Sequence, residues 1–328
     1  MIGTPPKNVV TIGLSAAIVS MDGESPRVLV VHHAASPDGL PFGPFDPLGH
    51  RTLESGLRSW VREQTLLELG YAEQLYTFGD RGRHLQRAGE GPRVVSVGYL
   101  ALTRTRGELQ APDTTWRDWY LFFPWEDWRL EKPPIIESSI LPALKSFVKH
   151  APGQAEQELR RERARLAFGF EGPAWDEEKV LERYELLYEA GLVEEARRDG
   201  RAGAEPLPAS LLGSSMMFDH RRILATAIAR LRGKMKYRPV IFELLPPNFT
   251  LLELQRSVEA ISGRRLHKQN FRRLVENQGL VEGTGKSLRT ARGRPAELFR
   301  FRREVLAERQ APGVRLGARR VGASPFPT

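Results

Sequence analysis

The chain has 328 residues, 41% of them hydrophobic and none of them cysteine. That is enough apolar material for two packed domains, and it excludes a disulfide framework, a thiolate metal site and a cysteine nucleophile. The formal net charge of +9 is uneven: Asp219 to Thr328 hold 24 Lys and Arg against 9 Asp and Glu, a net of +15, while residues 1 to 218 carry a net of −6. A basic module on a mildly acidic body fits a polyanion-binding element joined to a regulatory one, or a basic solvated face. No apolar run reaches the roughly 20 residues of a membrane-spanning helix, so no membrane partner is expected. Ile12 to Val19, broken by Gly13 and Ser15, makes a poor secretion signal and a good strand. The lack of cysteine fits a reducing cytosol, and a cytoplasmic location is expected.

Residues 9 to 19 and 27 to 32 are rich in β-branched residues and are separated by the turn formers Asp22, Gly23, Ser25 and Pro26, which predicts a hairpin. From Thr52 to Glu68, Leu53, Leu57, Trp60, Val61 and Leu67 recur at helical spacing. Strands are expected again at 74 to 78, 93 to 103 and 116 to 123. Beyond Ser138 the pattern turns helical over 139 to 150, 156 to 167 and 176 to 190, with Gly191 as a C-cap. The segment from Asp199 to Ser215, rich in Gly, Ala, Pro and Ser, reads as a linker. These elements give a division into a body at 1–135, a helical insert and linker at 136–215, a basic module at 216–310 and a disordered tail at 311–328.

In the basic module, 219 to 234 form a helix with Ile223, Leu224, Ala227, Ile228 and Leu231 inward and Arg221, Arg222, Arg230, Arg232 and Lys234 outward. Thr250 and Glu253 form a capping box at the head of a second helix. Gly263 then turns the chain into a third, with Phe271, Leu274 and Val275 on one side and Lys268, Gln269, Asn270, Arg272 and Arg273 as candidates for the other. A hairpin follows whose tip holds Lys286, Arg289, Arg292 and Arg294. Helix, turn, helix and basic hairpin make a winged helix-turn-helix. Its helix residues match base edges in the major groove of double-stranded operator DNA, and its wing cations suit phosphates. The bland alternative is a winged fold used for protein contacts.

Nudix hydrolases carry a glutamate-rich box that holds divalent cations against a diphosphate, because hard cations need clustered oxygen ligands. The corresponding stretch here is Gly49 to Thr65. With Val61 at the aliphatic position, Trp60 stands where the first metal-binding glutamate of the helix belongs, and Glu63 and Gln64 replace the Glu-Glu pair. Without a gap, the leading Gly and Glu of the box fall on Phe45 and Arg51. The expectation is therefore no catalytic residue, no metal ligand and no required cofactor.

A degenerate Nudix domain followed by a winged helix resembles the Nudix-related regulators of NAD metabolism (NrtR-like) and, more closely, the NAD-biosynthesis repressors among them. The resemblance rests on Glu73 to Asp80, on Phe123 to Trp128, on Glu182 to Gly191, on Leu266 to Val275 and on Gly293 to Ala296. The mixed run of strands around one central helix itself suggests an α+β fold; the resemblance implies a Nudix-like α/β/α sandwich and a C-terminal winged helix-turn-helix, with a helical insert at 138–198 that is longer than the simple family plan. It also implies control of NAD-synthesis genes, an adenine-nucleotide effector (ATP, NAD or ADP-ribose) and a homodimer. The competing reading is an active pyrophosphohydrolase with an accessory nucleic-acid-binding domain.

Candidates for the nucleotide each have an ordinary reading. Arg58 is either a phosphate contact or a solvated helix arginine. Arg81 and Arg83 are a diphosphate clamp or surface charge. Tyr76 and Phe45 are adenine-stacking rings or core. His32 and His33 are adjacent in a strand and so point to opposite faces, against a shared metal. Tyr184, Leu187 and Tyr188 read as helix packing or as a dimer interface.

Overall fold

The computed structural model describes residues 10–33, 36–80, 93–104, 109, 111–170, 172–201, 203, 207–288, 295–308 and 314. The β-rich N-terminal sequence forms β1 (Val10–Asp22), β2 (Ser25–Val31), β3 (Phe42–Pro44), β4 (Tyr71–Phe78), β5 (Arg93–Leu102) and β6 (Thr114–Asp118). They build one mixed sheet in the order β4-β5-β1-β2-β6, with β3 paired to β1. β1 and β5 run parallel from Val10 opposite Arg93 to Val19 opposite Leu102, and β1 and β2 close the expected hairpin. Alternation along β1 sends Leu14, Ala16 and Ile18 to one face, where they meet Leu57 and Val61 of α1 (Leu53–Thr65). Ala17 and Val19 go to the other face.

That second face is covered by helices. α2 (Leu141–Lys149), α3 (Gln154–Phe168), α4 (Val180–Glu189) and α5 (Glu194–Arg198) make up the insert, and α6 (His220–Met235) follows it. α6 packs on β1, β4 and β5 and along α4. Tyr184, Leu187 and Tyr188 are buried in this layer at 1%, 0% and 3% exposure. They are core of the single chain and not a surface for a second copy. Sheet, α1 layer and α6 layer make the α/β/α sandwich.

Two local expectations need correction, and one strand, β3, carries no sequence signal. The strand expected at 116–123 stops at Asp118, whose Oδ1 accepts the Tyr120 amide at 2.9 Å and caps a 3-10 turn, Trp119–Leu121. An apolar run this dense reads as strand because Trp119, Tyr120, Phe122, Phe123 and Trp125 are all buried, yet the local Asp bond competes for the backbone. The strand β3 is only three residues long and falls below any periodicity. Arg221 and Arg232, expected outward on α6, are each 1% exposed. Arg221 Nε donates to Phe122 O at 3.0 Å and its Nη1 pairs with Glu195 at 3.2 Å. Two of the cations counted in the basic module thus neutralise buried carboxylates of the body and insert.

The C-terminal part contains α7 (Leu251–Ser262), α8 (Lys268–Gln278) and the two-stranded wing β7 (Val281–Leu288) and β8 (Ala296–Phe301). Thr250 caps α7 as expected: its Oγ1 accepts the Glu253 amide at 3.1 Å while Glu253 Oε2 accepts the Thr250 amide at 2.7 Å. Among the described residues no helix is long and apolar enough to cross a membrane.

Candidate nucleic-acid interface and the degenerate Nudix helix

Phe271 and Val275 anchor α8, at 3% and 0% exposure, one turn apart on the inner face. The spacing leaves Lys268, Gln269, Asn270, Arg272 and Arg273 exposed on the outer side, together with Asn277. Side chains of these types have the donors and acceptors that match guanine and adenine edges. Among the described residues no side chain caps the N-terminus of α8, so its backbone N–H groups add positive character at that end. Ahead of α7, Phe249 exchanges main-chain hydrogen bonds with Phe299 at 3.0 and 2.8 Å, which fixes the wing to the helical core. Phe301 stacks on Phe242 with ring centroids 4.4 Å apart.

Lys286 is exposed on β7, on the side of the wing leading to its tip. Arg289, Arg292 and Arg294 lie outside the described residues. Arg300 pairs with Glu282 at 2.6 Å across the wing.

The Nudix-like helix has been turned to structural use. Trp60 covers β3, with Nε1 donating to Pro44 O at 2.8 Å. A Cβ added at Gly43 would lie 2.2 Å from the Trp60 ring, so the strand passes directly beneath the indole. Gln64 binds Phe42 twice, its Oε1 accepting the amide at 3.0 Å and its Nε2 donating to the carbonyl at 2.6 Å. The two positions that would need carboxylates to hold metal instead clamp β3. Glu63 is exposed and accepts from Ser59 Oγ at 2.9 Å. Among the described residues no three His, Cys, Asp or Glu side chains are placed to hold a metal ion.

Of the candidate nucleotide residues, Arg58, Tyr76 and Phe45 fall among the described residues. Arg58 pairs with Glu54 at 2.8 Å and donates to the carbonyls of Leu69 and Gly70, tying α1 to the start of β4. Tyr76 is 62% exposed on β4 with its ring edge to Phe78. Phe45 is half-buried beside His50, at 5.8 Å between ring centroids, near the head of α1. Arg81 and Arg83 lie outside the described residues. His32 bonds Asp38 at 2.7 Å and the His33 ring meets Phe42 at 6.0 Å.

Sequence reasoning missed the contact between Phe42, Phe218 and His220, whose rings meet edge to face at 5.0 to 5.6 Å. His220 Nδ1 also accepts the Leu40 amide at 3.0 Å. This joins the loop before β3 to the head of α6, and no sequence signal links positions 180 residues apart.

Comparison with known proteins agrees with this architecture. Residues 241–301 match the family model of the NrtR DNA-binding winged helix domain. The ADPR responsive transcriptional repressor NtrR of Acinetobacter baylyi is 45% identical over 86 residues, 26% of this chain and 34% of that protein. The chain thus matches about a third of the length of that curated relative. Shewanella oneidensis NrtR, solved with a 27mer DNA, superposes with a TM-score of 0.52 at 22% identity, over 90% of this chain and 95% of that one. A MutT/nudix family protein from Enterococcus faecalis gives 0.50 at 15% identity, over 92% and 89%. In fold and in its winged helix domain, the chain is NrtR-like.

Proposed function

We propose that this protein is a transcriptional repressor of NAD-biosynthesis genes. In this reading it binds operator DNA as a cytoplasmic homodimer, and an adenine nucleotide held by the Nudix-like body modulates that binding. The observation that carries the reading is the exposed row Lys268, Gln269, Asn270, Arg272 and Arg273 on a helix fixed from beneath by Phe271 and Val275. Planar and cationic side chains on an exposed helix face suit the base edges and phosphates of a DNA groove. The relative from Acinetobacter baylyi is named for its response to ADPR, which puts ADP-ribose ahead of NAD and ATP as the effector. Retention of the Nudix-like fold with Trp60 and Gln64 in structural roles favours binding over hydrolysis, because stacking and donors suffice to hold a nucleotide whereas cleavage needs the metal.

The test is a DNA-binding titration on the promoter regions of NAD-synthesis genes, with and without saturating ADP-ribose, NAD and ATP. We expect one of the three to shift operator affinity by a coupling of about 1 to 3 kcal/mol. If none shifts it, the sensing role is wrong; if no promoter is preferred over random DNA, the repressor role is wrong.

A further inference from the structure

The turn between α7 and α8 sets the direction of the recognition helix, and its main anchors lie outside residues 241–301, the stretch that matches the winged helix family model. A helix leaves its last carbonyls without intrahelical partners. At the end of α7 the donors come from elsewhere. The Tyr120 hydroxyl donates to Ala260 O at 2.7 Å, Arg232 Nε to Ile261 O at 2.8 Å and the Trp128 amide to Gly263 O at 2.7 Å. Tyr120 and Trp128 belong to the segment that follows β6 in the body, and Arg232 to the helix that covers the sheet.

The fit around this turn is close. Gly263 has φ +73°, and a Cβ there would stand 2.4 Å from Glu126 O, 2.8 Å from Arg232 Nη2 and 3.0 Å from the Tyr120 hydroxyl. Both the left-handed backbone and the approach of the body therefore demand glycine. The next two residues are also held: Arg264 pairs with Glu177 at 3.4 Å, and Arg265 pairs with Glu259 at 2.8 Å and with Glu24 of the β1–β2 turn at 3.2 Å.

Behind these donors stands a buried ion cluster. Glu126 accepts from Arg183 at 2.5 and 2.9 Å and from Arg232 Nη1 at 2.6 Å, and all three side chains are 1% exposed or less. Arg232 Nη1 donates also to Glu177 O at 2.9 Å. A guanidinium fixed by its whole fork has no alternative rotamer, so it transfers the position of the body to the end of α7.

From this we infer that Tyr120 and Arg232 are positioning residues for DNA recognition: by capping the end of α7 they hold the recognition helix α8 in register with the Nudix-like body. The inference rests on the reading of α8 as a DNA reader, and it gives a nucleotide in the body a physical handle on that helix.

Two full-length variants test it. Tyr120→Phe removes one hydroxyl and keeps the ring. Arg232→Lys keeps the charge and loses the Nε donor to Ile261. Amide hydrogen exchange reports local opening, and thermal melting confirms that each variant is folded. In Tyr120→Phe we expect exchange at residues 260–270 to rise about 2- to 10-fold, the change that follows loss of one hydrogen bond, with β1 and β5 unmoved. The ratio of operator to random-DNA affinity should fall by a similar factor, a readout that loss of stability alone would not move. Arg232→Lys, if folded, should show the same pattern more strongly. Unchanged exchange at 260–270 together with an unchanged affinity ratio in folded Tyr120→Phe overturns the proposal. A wild-type protein without operator preference overturns the repressor reading instead, and the exchange result then still decides whether the body holds the turn.

Discussion

Trp60 and Gly43 are in direct contact across the junction of α1 and β3, with the indole ring occupying the space that a side chain at position 43 would need. The ring is held there by its bond to Pro44 O. Gly43→Ala must push either the indole or the strand aside, and overpacking of this kind costs about 1 to 3 kcal/mol. We expect a corresponding drop in the urea midpoint with an unchanged slope. A variant as stable as wild type would show that β3 yields freely.

The same contact bears on catalysis. With Trp60 and Gln64 committed to β3, Glu63 alone is a carboxylate at the metal-binding positions of the box, and one carboxylate is too few oxygen ligands for a hard cation. We expect no turnover of ADP-ribose, NAD or nucleoside triphosphates with Mg²⁺ or Mn²⁺, followed by chromatography of the products. Steady turnover that disappears in Glu63→Gln would establish the hydrolase reading in its place.

Elements with a strong local code were legible in the sequence. The Thr250 and Glu253 box, the Gly263 turn and the Phe271 and Val275 anchors depend on residues within a few positions of one another, and each stands where the pattern puts it. The roles of Arg221 and Arg232 were not legible, because helical periodicity places an arginine outward unless its partner is known. Their carboxylates, Glu195 and Glu126, are 26 and 106 residues away. Likewise the missing catalytic glutamates could be read directly, whereas the new work of Trp60 and Gln64 could not, since β3 is too short to announce itself. Arg58, expected on the polar side of the helix as a phosphate contact or a solvated arginine, fastens α1 to the carbonyls of Leu69 and Gly70, partners that helical spacing does not reveal.

The Glu126 cluster should make the fold acid-sensitive. Burial pushes the Glu126 carboxyl up, and the Arg183 and Arg232 guanidiniums beside it, by charge and by hydrogen bond, more than reverse this and hold it below the usual carboxylate range. A group whose pKa is lower in the folded state contributes stability above its unfolded pKa of about 4.3. That contribution is lost as pH falls through the folded value. Glu126→Gln should cost about 3 to 5 kcal/mol at pH 7, because it leaves two buried guanidiniums short of a counter-charge. Its melting temperature should also fall less steeply than that of wild type below about pH 4.5. Parallel acid profiles for the two proteins would assign the acid sensitivity to other carboxylates.

The last prediction concerns how α8 and the wing divide their work. With Phe271 and Val275 fixed inward, the proposed function places Gln269 and Arg272, exposed on the outer side, in the major groove. Lys286 is exposed on the wing strand β7. Alanine at Arg272 or Gln269 should cost about 1 to 3 kcal/mol on the operator and relax preference at one base pair. Lys286→Ala should weaken all sequences alike and lower the salt slope by about one. Two copies of the chain related by a two-fold axis would read a palindrome with half-sites about one helical turn apart, or a multiple of it. Footprinting of wild type and the three variants, repeated over a range of salt, measures all of these at once. If Arg272→Ala and Lys286→Ala both leave affinity and salt dependence unchanged, α8 and the wing are not the DNA-reading surface, and the exposed cations would instead mark a site for an acidic protein partner.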